Sequence, residues 1–338
     1  MLTASDLVHL PYNLDLTEGG IAFACQSLAC TCDRLGDSPV GHLQRIVGRV
    51  AAELAFRRQL AELAVPYKVL RATPFTHPDQ YDVSLGRHRC IVKSFLITRR
   101  NQIAQIRQDP GILLQAPALL PVEQFAAEDN KPDDLYIFAF LLGIVTTAAA
   151  DVDKAIAAGQ PACLIHLLPE DWARPGNLIL LEKLALKSEC ETSVAVEIGG
   201  QDAGRNFINS TLELPPRQRV VVEKNFYSLA YLCAHCRPEA RIGLHSPVRG
   251  EAHIVRPHEW GNIWVYGMDV FLAGWLTHED FRRKASVLNA GAHTFQVDCT
   301  RTKNLLVPVG ELNPLGTLLE KVKTWELEKR NSYNVTEK

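Results

Sequence analysis

The segment "YDVSLGRHRCIVKSF", residues 81–95, sets two short runs rich in apolar and β-branched residues on either side of Gly86. Two such runs around a glycine predict a β-hairpin. An acid, Asp82, stands at its start and a lysine, Lys93, near its end. Pairing across the turn would bring these two residues to one edge of a sheet.

Upstream, before the strand-like and proline-broken "YKVLRATPFTHPDQ", "PVGHLQRIVGRVAAELAFRRQLAELAVPY" repeats apolar residues at helical spacing: Leu43, Ile46, Val47, Val50, Leu54 and Leu60 or Ala61. This predicts a long amphipathic helix, ended before Pro66. Glu53 follows Ile46 by two helical turns and so points nearly the same way. A carboxylate on the inward stripe needs a partner, either a cation such as Arg57 one turn on or a bound metal.

Downstream of the hairpin, "RRNQIAQIRQDPG" predicts a short polar helix stopped at Pro110, and "DDLYIFAFLLGI" a buried strand, favoured over helix by its aromatic and β-branched content. The texture then changes. Residues 151–257 open with an Ala-rich helix and continue as short β-prone runs such as "SVAVEIGG" and "STLELPPRQRVVVEK", punctuated by Gly and Pro, as in a small antiparallel β unit. A further strand, "MDVFLAGWL", leads into "THEDFRRKASVLNAG", where Thr277 can cap a helix and Gly291 can close it. The last amphipathic helix carries Leu315, Leu318, Leu319, Val322 and Trp325 on one face.

The order of a helical acid, a strand acid, a turn and a strand lysine resembles the PD-(D/E)XK, or restriction-endonuclease-like, nucleases, and covers residues 43 to 106 best. The resemblance implies an α/β fold: a mixed central sheet flanked by helices, with a β-rich, sandwich-like insertion. Residues 1–150 would form the first part of the core, 151–257 the insertion and 258–330 the closing strand and C-terminal helices. It further implies a magnesium-dependent DNA endonuclease. Glu53 and Asp82 would hold Mg2+, Lys93 would assist the attacking water, and Arg99, Arg100 and Gln102 would lie beside the site against nucleic-acid phosphate.

One position departs from the family pattern. Two residues before Lys93, where an acid is expected, stands Ile91, which cannot ligate a hard cation; the adjacent Cys90 is a soft ligand and a poor substitute. Asp79, Glu62 and Asp109 are conceivable replacements, and nothing in the sequence selects among them. Two alternatives therefore stay open beside the nuclease: an inactive nucleic-acid-binding or assembly module that keeps the fold, and a scaffold whose β insertion is the contact surface.

Bulk properties narrow the field. The chain has 338 residues, 47% of them hydrophobic and 22% charged, with a formal net charge of −2, so any nucleic-acid role must rest on local patches. No basic, apolar leader opens the sequence, and the apolar run from Leu135 to Ala150 falls short of the roughly 18 residues that span a bilayer. The expectation is a cytoplasmic protein with no membrane partner; a homodimer is an open possibility. The odd total of 9 cysteines argues against a closed disulfide framework. "CAHC", Cys233 to Cys236, lacks a second pair at zinc spacing and a close third cysteine for an iron–sulfur cluster, so buried free thiols are the default there. The aromatic "HEWGNIWVYG" reads as a core edge before it reads as a base-stacking surface.

Overall fold

A computed structural model describes residues 2–28, 38–69, 83–127 and 130–336, with side chains placed through residue 325. The chain is mixed α/β with several sheets and divides into two compact units. One comprises Met1–Gly19, Gly48–Ile144 and Tyr266–Lys338; the other comprises Gly20–Val47 and Val145–Val265.

The first unit is built on a six-stranded sheet whose order, edge to edge, is Val8–Leu10, Val265–Thr277, Leu135–Val145, His88–Ile97, Val83–Leu85 and Lys68–Val69. The hairpin forms as its sequence dictates: Val83 pairs with Cys90 and Leu85 with His88, leaving a two-residue turn. Gly86 and Arg87 both take positive φ, at 55° and 80°. This is the handedness that suits the twist of a tight hairpin. A side chain at Gly86 would also meet the Trp325 ring, whose Cε3 would be 2.7 Å from the added carbon.

His88–Ile97 runs parallel to Leu135–Val145, with Lys93 opposite Phe138. Parallel neighbours require a crossover. Here it is made by the helix Arg100–Gln108, the 3-10 turn Pro110–Gln115 and the strand Pro117–Pro121, the last belonging to a separate three-stranded antiparallel sheet with Asn304–Pro308 and Ser286–Leu288. From Leu135 to Gly143 every residue of the parallel strand is buried. Its Tyr136, Phe138, Phe140 and Leu142 join Ile103, Ile106, Leu276 and Phe281 in one core. A buried ion pair ties the two parallel strands together at their start: Arg89 grips both carboxylate oxygens of Asp134, which is 1% exposed.

The helix Pro39–Glu62 buries Leu43, Val47, Val50, Phe56 and Leu60, while Ile46, Glu53 and Leu54 lie half-buried along its flank. The periodic reading thus holds, with the stripe rotated toward Ala51, Ala52 and Ala55. Before it lies a further helix, Leu14–Ser27, which carries Gly19 and Gly20 and to which the sequence reading assigned no element. The two glycines permit close approach rather than breaking the helix: an added carbon at Gly19 would sit 2.6 Å from Leu54, and one at Gly20 would sit 2.6 Å from the Val47 carbonyl. The helix begun at Thr277 also differs from expectation. Thr277 caps it through Asp280 N at 3.0 Å, but it ends at Lys284, where the chain leaves for the strand Ser286–Leu288 instead of continuing to Gly291.

In the second unit a five-stranded antiparallel sheet, ordered Phe207–Leu214, Val194–Gln201, Ser228–Ala234, Leu164–Leu167 and Gly261–Asn262, shares a core with a four-stranded one, ordered Arg219–Val221, Ala185–Ser188, Ile242–His245 and His253–Val255. Leu164, Val196, Ile198, Leu214, Leu229 and Leu232 of the first pack with Leu186, Ile242, Leu244 and Val255 of the second. This is a β-sandwich. Alternation sends Tyr231, Cys233 and Glu197 to the opposite face of the larger sheet, where Tyr231 donates to Glu197 Oε1 at 2.6 Å. Gly199 lies under the Tyr231 ring, 2.2 Å from where a side chain would begin. Gln44 secures the same unit by donating to the Asn262 carbonyl at 2.9 Å.

Trp260 and Trp264 of "HEWGNIWVYG" are 7% and 5% exposed, so they fill the interior. Cys233 is buried with its Sγ 3.1 Å from Cys163 Sγ, whereas Cys236 is exposed, contrary to the expectation of two buried thiols. Among the described residues no helix is long and apolar enough to cross a membrane.

Candidate functional site

The second strand of the hairpin forms one wall of a cleft of about 250 Å³ in the first unit. Ile91, Lys93 and Phe95 alternate onto one face of His88–Ile97. Ile91 and Phe95 lean against the apolar core, and Lys93 extends past them into the cleft. Opposite stand Gln124 and Phe125 of the short helix Val122–Phe125, with Asn130 beyond it and Arg49 supplied by the long helix.

Polar contacts fix this arrangement. Lys93 Nζ donates to Gln124 Oε1 at 2.8 Å. Asn130 Nδ2 donates to the carbonyls of Gln124 and Phe125 at 2.8 and 3.0 Å and so holds the loop that carries Gln124. At the floor, the Tyr136 hydroxyl lies 2.9 Å from His278 Nδ1, and the His278 ring stacks on Phe125 at 4.1 Å between centroids. Burial, with the Asp134 charge adding to it, pushes the Tyr136 phenol well above its ordinary range; burial holds His278 below its own. Both groups are therefore neutral at pH 7.

Of the residues expected at a nuclease site, the structure brings Ile91 and Lys93 together in this cleft. Glu53 lies one turn beyond Arg49 on the same helix but does not line the cleft; its side chain is 19% exposed and its carboxylate is 3.6 Å from Arg57 Nη1. Asp82 and Asp79 lie outside the described residues. Arg99 is paired with Asp298, Arg100 is exposed at the start of its helix, and Gln102 Nε2 donates to the Phe295 carbonyl at 2.7 Å. These three are thus placed at a loop junction and not on the cleft wall. Asp109 accepts from Gly111 N at 2.9 Å and caps a turn.

The sequence reading missed Arg49, Gln124 and Asn130. Arg49 carried a usable signal, since it precedes Glu53 by four residues and shares its helix face. Gln124 and Asn130 carried none, because their place depends on the crossover that follows the hairpin.

A magnesium ion held here would need hard oxygen ligands. The described cleft offers two cations, amides and an isoleucine, and among the described residues no group of three or more His, Cys, Asp or Glu side chains is arranged to hold a metal. The described donor set does not fit the ion. It fits an anion. No family model matches this chain, and no curated protein or solved structure shows significant similarity to it.

Proposed function

We propose that this cleft binds the phosphate backbone of nucleic acid, on a core that retains the restriction-endonuclease-like arrangement with its hydrolytic chemistry impaired. The observation that carries the reading is the pairing of Lys93 and Arg49 in one cleft with Ile91 at the position of the expected acid. Cations that converge on one concavity attract phosphate oxygens, and an aromatic wall beside them suits a base or sugar face. Phe95 and Phe125 supply that wall.

A hydrolytic reading, a DNA endonuclease using Mg2+ at Glu53 and Asp82, is favoured by one feature: Glu53 is half-buried on the turn next to Arg49. The two readings separate in one experiment. Labelled single- and double-stranded DNA are titrated with the protein at low salt, followed by anisotropy, and the same DNAs are incubated with protein and Mg2+ and resolved on a gel. Salt-sensitive binding that Lys93→Ala weakens, without cleavage, supports the binding role. Cleavage abolished by Asp82→Ala and Lys93→Ala establishes the enzyme. No binding at low salt to either DNA overturns both.

A further inference from the structure

Within the sandwich unit, His166 and His253 face each other with their Nε2 atoms 3.0 Å apart. His166 belongs to Leu164–Leu167 of the larger sheet and shares the inward face of Leu164; His253 belongs to His253–Val255 of the smaller sheet and shares the inward face of Val255. The pair therefore spans the two sheets at one end of their common interior. Trp172 and Trp260 flank it, with ring centroids 6.4 Å from His253 and 6.2 Å from His166.

The orientation of His166 is fixed from behind. Its Nδ1 lies 3.2 Å from the Glu259 carbonyl oxygen, which only accepts, so Nδ1 carries the proton and Nε2 presents a lone pair toward His253. A backbone carbonyl holding the far nitrogen of an imidazole is the support that metal-bound histidines ordinarily have. The structure assigns to His166 and His253 a two-histidine site for a divalent transition metal of the zinc, copper or nickel type, bridging the two sheets.

Three observations converge on it. First, metal–nitrogen bonds of about 2.0–2.1 Å in tetrahedral geometry set the two nitrogens roughly 3.3 Å apart, so the 3.0 Å pair need open only slightly. Second, the Glu259 carbonyl 3.2 Å from His166 Nδ1 leaves Nε2 as the coordinating atom of that ring, already aimed at its partner. When the metal enters, the proton on His253 Nε2 moves to its own Nδ1 and both rings stay neutral. Third, Asp171 and Glu259 place negative charge near His253, which favours a cation at the pair. Glu259 is engaged with Arg256 N at 2.6 Å and Asp171 pairs with Arg249 at 3.9 Å, so water would complete the shell. Imidazole ligands favour zinc, copper and nickel over magnesium, so this site is chemically separate from any magnesium chemistry of the hairpin.

The test uses the full chain freed of metal by a chelator and dialysed into Mg2+-containing buffer. Zn2+ is titrated calorimetrically, and one equivalent of Cu2+ is added for electron paramagnetic resonance. One Zn2+ binds per chain, His166→Gln and His253→Gln each weaken it by at least the roughly 10- to 100-fold that losing an outer-shell partner of a metal ligand costs, and the Cu2+ spectrum shows coupling to two imidazole nitrogens. Unchanged zinc affinity in either variant, or a wild-type Cu2+ spectrum without two-nitrogen coupling, overturns the assignment. The wild-type spectrum decides the matter even if a variant fails to fold.

Discussion

Arg89→Met tests whether the Arg89–Asp134 pair sets the parallel strands that carry Lys93. Arg89 Nε donates to Asp134 Oδ1 at 2.7 Å, a second guanidinium nitrogen bonds Oδ2, and that oxygen also accepts from Lys131 N at 2.8 Å. Asp134 is 1% exposed, so removing the arginine leaves a carboxylate in the interior with one backbone N–H as its remaining described donor. Breaking a buried pair from one side costs about 3–5 kcal/mol, several times an exposed ion pair. Asp134→Asn keeps one acceptor oxygen, for Lys131 N and one guanidinium nitrogen, while its NH2 opposes the other, and should cost about 1.5–3 kcal/mol from the lost and weakened charged hydrogen bonds. With both changes no unpaired carboxylate remains. The double variant should then be more stable than the sum of the singles predicts, by a coupling of about 2 kcal/mol. Urea unfolding measures the energies, and amide exchange along Leu135–Leu142 shows whether the loss falls on this sheet. A cost below about 1 kcal/mol for Arg89→Met, or strict additivity, would refute the reasoning.

Other expectations follow from the same contacts. Arg49→Gln with Lys93→Gln should lower the salt slope of DNA binding by about 1.4 for single strands and about 1.8 for duplex, read from anisotropy over a salt series; an unchanged slope removes both cations from the interface. Gly200→Ala should destabilise the sandwich by about 3 kcal/mol or leave it insoluble, because the added carbon would lie 1.9 Å from the Ser228 carbonyl oxygen. A thermal melt matching wild type would contradict that backbone approach. The histidine pair makes the sandwich acid-sensitive. Folded-state values below the ordinary 6.5 mean that the unfolded chain binds protons first, so stability is full above about pH 6.5 and declines as pH falls toward the folded values, with Asp171 and Glu259 opposing the shift. His166→Gln should flatten the melting-temperature profile between about pH 6.5 and 5, and an equally steep profile would place the sensitivity elsewhere.

The hairpin was legible because Gly86 and its two flanking runs specify a turn and a register locally. The buried strand Leu135–Val145 was legible from its aromatic and β-branched run, and the long helix from its periodicity. Features that depend on tertiary partners were not. Nothing local marks Gly19 and Gly20 as contact positions; their lack of side chains matters only once Leu54 and Val47 come near. The helix after Thr277 stops at Lys284, short of the glycine, because Ser286–Leu288 pairs with Asn304–Pro308, a contact far along the chain. The cleft was half legible. Ile91 and Lys93 belong to one strand face, but the opposing wall arrives through the crossover. Searching for acids also passed over Arg49, which precedes one of them by a single turn.

Ile91 gives the site an electrostatic consequence that can be tested directly. An aspartate at this place would stand on the same strand face as Lys93, two residues away, and would repel a phosphate unless a divalent cation lay between them. Isoleucine removes that repulsion together with the need for the ion, while Lys93 and Arg49 remain in the cleft. Nucleic-acid binding should therefore proceed equally well in Mg2+ and in a chelator at matched ionic strength. Ile91→Asp should reverse this, with binding weakened in the chelator and recovered by Mg2+. The substitution also exchanges an apolar side chain packed on the core for a charge, so binding is compared only below the variant's melting temperature. Wild-type binding that collapses in the chelator would show that a metal already bridges protein and phosphate. An Ile91→Asp protein that binds as well as wild type without Mg2+ would show that position 91 does not face the phosphate.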